Sequence, residues 1–387
     1  MDLASFKLSR DLKLIALSNF IGAAGEGLYF YIWPLYILEL NADPIYLGAL
    51  ISVLYLISAI TPIPGGLLAD KYDRRKIVIV AWTMWATTPL LYSMAADWTQ
   101  LLPGAFMWGF SMIGQPAFSA YVVTAAPKKN LAYVFSLVHG SWSLGYIFSP
   151  TLGGYLSTVI GMKGVLHLSF ILSALCASTW FFISSQRDKI TSAEAKLSKA
   201  KSTTRNKIYL WVAFYAAITF VIFIPKPFIP TFLQNEIGLN TVLIGVLGSA
   251  TFLGSTVLGI GFGKIGDLWR RERVVFLCVI LCVPAFALLI FYKNFLILFL
   301  ASFLIGGSNA VGSLVSSIIG TAAPETTRAR WMAVPQTASM IGACLAPYVG
   351  GFLYEFSPYY PFSAVILIIP LIATFLLIHS ERETRHR

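Results

Sequence analysis

Two ionisable side chains lie inside long apolar stretches of this sequence, where a charge is costly. Glu26 is the only carboxylate deep inside such a stretch, and Lys226 lies in another one between Pro225 and Pro227. If these stretches cross a membrane, their charges should face protein or a water-filled cavity and mark a solute or ion pathway. Glu26 could then carry a proton or bind a cation, and Lys226 could bind an anion. A permanent ion pair between the two is the alternative hypothesis, and the sequence leaves both open.

Glu26 belongs to a polar and aromatic pattern that repeats every three or four residues. This spacing places the members of the pattern on one face of a helix. They are Asn19, Gly22, Glu26, Tyr29, Trp33 and Tyr36. Because such a face is poorly suited to lipid, the pattern predicts a polar cavity, in which Tyr29, Trp33 and Tyr36 would contact the apolar or cationic surface of a substrate.

Three other apolar stretches carry similar polar stripes. The stripes consist of Trp108, Ser111 and Gln115; of Tyr215, Thr219 and Lys226; and of Gly306, Asn309, Ser313, Ser316 and Gly320. His139 shares a face with Ser136, Ser143 and Tyr146 and could relay protons or bind substrate. Packing is the alternative for these positions, because small polar faces are common at helix contacts and a histidine can simply hydrogen-bond a neighbouring helix.

Membrane-spanning helices are needed to position these side chains. Of the 387 residues, 57% are hydrophobic and only 12% are charged, whereas soluble domains carry about 25% charged residues. A run of about 20 apolar residues crosses a bilayer as a helix, and the alternating segments of a membrane barrel do not occur in the sequence. Twelve such runs can be delimited, at about 12–38, 45–69, 75–95, 99–125, 131–155, 163–184, 208–232, 241–263, 273–292, 295–320, 329–353 and 360–379.

The basic residues predict the orientation of these spans. Of the 28 lysines and arginines, only Lys163, Lys226 and Lys293 fall outside the segments that are cytoplasmic when the N-terminus is inside. We therefore expect a multi-pass protein of the cytoplasmic membrane with both termini cytoplasmic and no cleaved signal peptide. The net charge of +11 then reflects this orientation and contact with anionic membrane lipids, so no nucleic-acid partner is expected.

Motifs for other kinds of chemistry are missing from the sequence. Cys176, Cys278, Cys282 and Cys344 all lie inside predicted spans. Cys278 and Cys282 share a helix face, which could suggest a soft-metal site, but two buried thiols are the simpler interpretation. The sequence has no nucleotide-binding P-loop and no His-Glu-x-x-His motif. We expect no metal, no cofactor, no enzymatic activity and no direct use of ATP.

An internal duplication organises the chain. A constant shift of 197 residues superimposes Asp70 on Asp267, Arg74 on Arg271, Pro150 on Pro347, and His139 on Gln336. Agreement of rare residues at one offset indicates a repeat of six spans. We predict two six-helix bundles, residues 1–184 and 208–387, joined by a basic cytoplasmic linker at 185–207. His139 and Gln336 are both candidate polar contacts in the cavity.

The segment between the second and third spans resembles a family signature. Its matching residues are Gly66, Leu68, Ala69, Asp70, Lys71, Arg74 and Arg75. They resemble the signature loop of the major facilitator superfamily, from which Asp73 departs because it replaces a glycine, and GKIGDLWRR at 263–271 is a degenerate second copy. The resemblance implies an all-α fold of 12 transmembrane helices in two pseudo-symmetric six-helix bundles, with spans one, four, seven and ten around a central cavity.

The same resemblance implies a latch on the cytoplasmic side of the molecule. Its members would be Gly66, Asp70 and Arg74, with Asp267 and Arg271 as their counterparts in the second bundle. A glycine allows close helix approach, and a carboxylate is favoured near a helix N-terminus. A loop that only determines topology is the alternative.

The fifth span carries GYIFSPTLGG at 145–154, which resembles a motif typical of the family's antiporters, including drug exporters. Gly145, Pro150, Gly153 and Gly154 match the motif, Ser149 departs from it, and the eleventh span repeats it around Pro347. Proline kinks the helix and glycines permit tight packing, so the motif could indicate export or only duplicated packing. The fourth span lacks the arginine found in many of the family's antiporters, which leaves proton coupling open.

Together these patterns predict a secondary transporter that moves a small molecule by alternating access. We expect proton-linked export of small amphipathic or cationic compounds by a monomer. One alternative is uptake of a sugar, organic anion or other nutrient by uniport or symport, with Lys226 as the anion contact. The alternative from another class is a non-transporting membrane receptor or lipid-handling protein.

Overall fold

The structure is a computed structural model that describes residues 8–127, 131–186, 202–322 and 328–385, with backbone only for 131–132, 202–207, 320–322, 328–336 and 377–385. The described elements are α-helices and short 3₁₀ turns. The α-helices are α1 Arg10–Phe30, α2 Trp33–Glu39, α3 Pro44–Ile60, α4 Pro62–Lys71, α5 Arg74–Met94, α6 Leu102–Ser111, α7 Gln115–Ala125, α8 Leu131–Thr179, α9 Ser202–Phe223, α10 Ile229–Asn235, α11 Thr241–Leu268, α12 Arg271–Ile280, α13 Cys282–Phe291, α14 Phe295–Gly307, α15 Ala310–Ala322, α16 Arg328–Phe356 and α17 Tyr360–Arg385.

Eight helices of the described chain are long and apolar enough to cross a membrane, judged by length and composition alone, and Tyr360–Leu376 is a shorter apolar helix. The longest of the eight, Tyr133–Phe182, contains a positive φ of 73° at Gly161, where two helices meet. These two helices are the predicted fifth and sixth spans. The predicted first span corresponds to α1 and α2, which are separated by a break at residues 31–32, and the predicted fourth span corresponds to α6 with α7. The all-α membrane fold predicted from the sequence is thereby confirmed.

Short polar caps begin several of these helices. The Ser9 hydroxyl accepts from the backbone N–H of Leu12 at the start of α1, and the Asn240 side chain accepts from Leu243 N–H at the start of α11. Each cap satisfies a backbone donor that the first helical turn leaves without a partner. The polar residues between the apolar runs therefore determine where the helices begin.

Contacts divide the chain into two compact units. The first unit contains Met1–Trp33 and Ile60–Ser192, and the second contains Pro34–Ala59 and Ala193–Arg387. The segment Pro34–Ala59, which includes α2 and most of α3, thus packs with the helices of the second unit.

An aromatic core joins the helices of the first unit. The rings of Trp82 and Phe118 are 5.8 Å apart, those of Phe118 and Trp180 are 5.9 Å apart, and those of Tyr121 and Trp180 are 5.6 Å apart. All four side chains are buried. This core fixes α5 and α7 relative to the residues that follow α8.

Two glycines allow α8 to lie directly against α1. A Cβ on Gly153 would overlap the carbonyl oxygen of Leu28, and one on Gly145 would come within 2.6 Å of the Ala23 Cβ. In the second unit, a Cβ on Gly350 would overlap the carbonyl oxygen of Ile224 in the same way. The antiporter-like motif and its copy therefore make the same backbone approach, α8 onto α1 and α16 onto the end of α9.

A further close approach joins α3 to α16 within the second unit. A Cβ on Gly48 would overlap the carbonyl oxygen of Pro347, and one on Gly351 would lie 2.5 Å from the carbonyl oxygen of Pro44. The Ser52 hydroxyl also accepts from Tyr348 N–H at 3.0 Å. Glycines at both ends of this contact let the two backbones touch.

Candidate functional site

The Glu26 carboxylate is held by three aromatic donors in the first unit. Its Oε1 accepts from Trp108 Nε1 at 2.6 Å and, more weakly, from Trp85 Nε1 at 3.4 Å, and its Oε2 accepts from the Tyr146 hydroxyl at 2.6 Å. Glu26 is only 3% exposed. Hydrogen bonds from neutral donors stabilise an ionised carboxylate but do not neutralise its charge. The group can therefore still accept a proton or a cation.

Four helices bring these groups together. Glu26 is on α1, Trp85 on α5, Trp108 on α6 and Tyr146 on α8. The Tyr146 hydroxyl reaches Glu26 because the adjacent Gly145 brings the two helix backbones together. The position of the carboxylate thus depends on the packing of the whole unit.

A cavity of about 300 Å³ opens next to the carboxylate. Its lining residues are Asn19, Glu26, Phe30, Trp82, Trp85, Trp108, Met112, Gln115, Phe118, His139, Trp142, Tyr146 and Cys176. Most of these side chains are aromatic or apolar, and Glu26 is the acidic group among them. Aromatic faces attract cations, so the cavity combines an apolar wall, cation-binding ring faces and one carboxylate.

Several side chains predicted from the sequence line this cavity. Asn19 precedes Glu26 by about two helical turns on α1 and donates from Nδ2 to the Val138 carbonyl at 3.3 Å. The Gln115 and His139 side chains are exposed within the cavity. The His139 ring is stacked near Phe135, with centroids 6.2 Å apart. These residues supply the polar contacts of the cavity.

Tyr29 and Trp33 lie elsewhere in the first unit. Both side chains are buried against Tyr92, with Trp33 stacked on its ring at 4.8 Å and Tyr29 edge-on at 6.1 Å. They are not among the residues that line the cavity. The aromatic surface next to Glu26 comes instead from other helices.

Sequence reasoning missed most of that aromatic surface. Trp82 and Trp85 belong to the third span, which carries none of the four predicted stripes, and Trp142 follows His139 by one helical turn. Tyr146 was on the same predicted face as His139, but nothing in the sequence linked it to Glu26. The usable signal was the spacing of His139, Trp142 and Tyr146 by three and four residues.

A second cavity, of about 410 Å³, lies in the second unit. Its lining residues are Tyr55, Tyr215, Ile218, Thr219, Ile222, Phe223, Lys226, Ser308, Asn309, Val311, Gly312, Ser313, Ser316, Ser339, Met340 and Ala343. Lys226 donates from Nζ to Asn309 Oδ1 at 3.1 Å, and Asn309 Nδ2 donates to the Ser255 hydroxyl at 3.1 Å. The polar stripes predicted around Tyr215 and Asn309 thus face one cavity. The Gln336 side chain lies outside the described part of the chain.

The signature loop is built around Asp73 and the arginines that follow it. Asp73 begins α5 by accepting from Arg75 N–H at 3.1 Å, and its other oxygen accepts from the Ser185 hydroxyl at 2.8 Å. Arg74 donates to the Thr124 hydroxyl at 2.7 Å. Asp70 lies exposed at the end of α4. The aspartate that replaces the signature glycine therefore serves as a helix cap.

The second copy of the loop has a different arrangement. Arg271 at the start of α12 donates to Asp267 near the end of α11 at 3.3 Å, and the Asp267 side chain is 75% exposed. Gly66 and Gly263 have no atom within 4 Å of a Cβ position. Both aspartates of the predicted latch, Asp70 and Asp267, are thus accessible on the surface of their own units.

The cysteines lie within the helical packing. Cys176, Cys278, Cys282 and Cys344 are buried free thiols. Among the described residues, no group of three or more His, Cys, Asp or Glu side chains is arranged to hold a metal ion. Cys278 and Cys282 pack in the core of the second unit.

Known protein sequences match this chain along most of its length. The sequence profile described as Major Facilitator Superfamily matches residues 15–247 and 212–387. The chain is 24% identical over 368 residues to the "Multi-drug resistance efflux pump PmrA homolog" of Lactococcus lactis subsp. lactis, covering 90% of this chain and 89% of that one. It is 22% identical to the "Tetracycline resistance protein, class H" of Pasteurella multocida, with 96% of each chain covered.

Solved structures show the same fold. The crystal structure of the nucleoside transporter NupG (D323A mutant) matches 95% of this chain and 98% of its own, with a TM-score of 0.77 and 15% identity. A bacterial homologue of the human lysosomal transporter Spinster, in an inward-facing and occupied conformation, matches 96% of each chain with a TM-score of 0.72. Since the profile match covers nearly the whole sequence, the chain belongs to the Major Facilitator Superfamily.

Proposed function

We propose that this protein is a secondary transporter that exports small amphipathic or cationic compounds in exchange for protons. The observation that carries the proposal is the Glu26 carboxylate, held by neutral donors at the edge of an aromatic cavity. Relatives along the whole chain are named as drug-resistance and efflux proteins, which supports the same substrate class.

The proposed exchange depends on competition for one carboxylate. A cation whose apolar part lies against Trp82, Trp142 or Phe118 brings its charge near Glu26, where ring faces and carboxylate both favour it. A proton on the same carboxylate removes the negative charge and weakens that attraction. If the protein alternates between access to the two sides of the membrane, protonation on one side and binding of the cation on the other couple the two flows.

We further propose that the protein works as a monomer in the cell membrane, with both termini in the cytoplasm. The distribution of lysine and arginine supports this orientation. In that orientation the loops containing Asp70 and Asp267 are cytoplasmic, and their exposed carboxylates are available for the latch that the family resemblance implies.

Reconstituted vesicles test the proposal. The probe is ethidium, a planar organic cation, and its movement is followed by fluorescence with and without an imposed pH gradient. We expect ethidium movement to be driven by the pH gradient and to stop when nigericin collapses that gradient. The rate of ethidium transport should be lower in Glu26→Gln by about tenfold or more. Glu355→Gln, which alters an exposed carboxylate, is the matched control and should transport normally.

Two results would decide against this assignment. Ethidium movement unaffected by nigericin would exclude proton exchange, and full activity of Glu26→Gln would remove the carboxylate from the mechanism. Movement of a sugar or organic anion in place of ethidium would favour nutrient uptake. Absence of flux for every class of solute would favour a receptor or lipid-handling role.

A further inference from the structure

Lys226 is a membrane-embedded cation whose partners are neutral. Its ammonium donates to Asn309 Oδ1 at 3.1 Å and lies 4.4 Å from the centroid of the Phe223 ring. A lysine ammonium has three N–H donors, and the amide oxygen uses one of them. The remaining donors lie at the lining of the 410 Å³ cavity.

No carboxylate balances this charge within the part of the second unit that the structure describes. The ion pair found there joins Asp267 to Arg271, which have each other as partners. Cys282, the thiol that interacts with the lysine, is 1% exposed and donates to the carbonyl of Cys278 four residues earlier, so it supplies no negative charge. A cation removed from water without a counter-charge is costly, and a ligand with negative charge would offset that cost.

The cavity wall beside Lys226 also offers donors suited to an anion. Ser308 is 6% exposed, lines the cavity, and its hydroxyl has no hydrogen-bond partner in the described structure. A buried hydroxyl without a partner needs an explanation, and a ligand that accepts from it or donates to it is one. Ser316 lines the same wall, as does Ser313, whose hydroxyl donates to the Ala310 carbonyl, whereas acidic side chains do not occur in the lining.

Asn309 helps to fix the position of the ammonium. Its amide nitrogen donates to the Ser255 hydroxyl at 3.1 Å, so its oxygen is turned toward Lys226. The short 3₁₀ segment Lys226–Phe228, which follows Pro225, fixes the lysine backbone. The cation is therefore preorganised at the cavity wall.

We propose that the cavity of the second unit is an anion-binding site for a carboxylate or phosphate group, with Lys226 as its charge partner and Ser308 as an additional donor. The site belongs to a different unit from Glu26 and has the opposite charge preference. It does not rest on the proposed exchange of cations for protons. The anionic group can belong to a small organic acid or be free inorganic phosphate, and the experiment distinguishes these two ligands.

The test is thermal unfolding of the purified full-length protein in detergent with four probes. Benzoate and phenyl phosphate carry the anionic group, benzamide is the neutral match for benzoate, and inorganic phosphate represents the free ion. We expect benzoate or phenyl phosphate to raise the unfolding midpoint in a saturable way, whereas benzamide should not. If inorganic phosphate raises the unfolding midpoint with an affinity similar to that of the organic probes, the free ion is sufficient as a ligand. If inorganic phosphate has no effect and the organic probes do, the ligand is an organic acid.

Variants assign the binding to the lysine. Lys226→Met should weaken benzoate binding by about tenfold or more, as expected for loss of a charge-assisted contact, and Ser308→Ala should weaken it several-fold. Lys293→Met is the matched control, because this lysine is exposed and lies outside the cavity. Glu26→Gln should leave benzoate binding unchanged, which separates this site from the proposed cation exchange.

Equal stabilisation by benzoate and benzamide would overturn the proposal, as would unchanged benzoate affinity in Lys226→Met. The comparison of benzoate with benzamide uses the unaltered protein. It therefore tests the preference for negative charge even if the Lys226 variant does not fold.

Discussion

At the scale of single residues, the Glu26 carboxylate depends on two short hydrogen bonds from aromatic side chains. Trp108 Nε1 and the Tyr146 hydroxyl each lie 2.6 Å from one of its oxygens. Bonds to a charged group contribute about 1.5–3 kcal/mol each. The two donors therefore hold the carboxylate at the cavity.

Removing either donor while keeping an aromatic ring at its position should weaken binding of a cation. We expect Trp108→Phe and Tyr146→Phe each to lower the affinity for ethidium by about tenfold, because the ionised carboxylate loses a donor and its fixed orientation. Equilibrium binding to the purified protein measures this. Trp142→Phe is the control, because Trp142 lines the same cavity and does not donate to Glu26. A loss in Trp142→Phe as large as in Trp108→Phe would indicate that ring area alone determines affinity.

Asp73 provides a second test at this scale. It is 7% exposed, caps α5 and accepts from Ser185. We expect Asp73→Ala to lower the free energy of unfolding by about 1–2 kcal/mol, since loss of a helix cap costs this much. Asp70→Ala should leave stability unchanged, because Asp70 is exposed at the end of α4. Thermal unfolding of both variants makes the comparison.

Transport measurements on the same two variants separate capping from the proposed latch. Asp70→Ala should reduce ethidium transport without loss of the folded protein. If Asp70→Ala were as unstable as Asp73→Ala, a structural role would be assigned to both residues and the latch would lose its support.

At the scale of elements, the repeated glycine motif positions the helices that carry charge. Gly145 and Gly153 bring α8 onto α1, which carries Glu26, and Gly350 brings α16 onto the end of α9, close to Lys226. The same contact occurs twice at the repeat offset. Duplicated packing is thus a sufficient physical reason for the motif in both units, and export does not need to be invoked for it.

The motif makes a prediction for Gly153. In Gly153→Ala the new methyl group would overlap the carbonyl oxygen of Leu28, which should cost about 1–3 kcal/mol of stability and move α8 away from α1. We therefore expect a lower thermal unfolding midpoint and weaker ethidium binding, because the bond from Tyr146 to Glu26 lengthens. Gly140→Ala on the same helix is the control, since no atom lies within 4 Å of its Cβ position. Because alanine favours a helix more than glycine does, Gly140→Ala should not lower the midpoint, and an equal fall in both variants would show that the contact with Leu28 is not its cause.

The helices could be predicted because each apolar run is long and bounded by polar residues. The polar stripe of α1 predicted the cavity position of Asn19 and Glu26, but Trp33 lies beyond the point where α1 ends at Phe30. The spacing of three and four residues in the sequence continues past this break, but the helix does not. Trp85 could not be found in the same way, because the third span contains no carboxylate or amide side chain that would mark a polar face.

At the scale of the whole molecule, each unit has a cavity that is lined by a charged side chain from inside a predicted span. Glu26 lines the cavity of the first unit and Lys226 that of the second. The shift of 197 residues pairs Glu26 with Phe223 rather than with Lys226, so the two charges are not copies of each other. The units share their packing scheme and differ in the chemistry of their cavities.

The proposed exchange of ions depends on which side of the membrane each loop faces. The distribution of basic residues places the loop of Lys264 in the cytoplasm and that of Lys293 outside. Both lysines are exposed in the structure. We expect a membrane-impermeant maleimide to label Lys293→Cys in intact cells and Lys264→Cys only after the cells are permeabilised. The four native thiols give little background because they are buried. Labelling of Lys264→Cys in intact cells would show the opposite orientation. The exposed pair of Asp267 and Arg271, and with it the proposed latch, would then lie on the outer face.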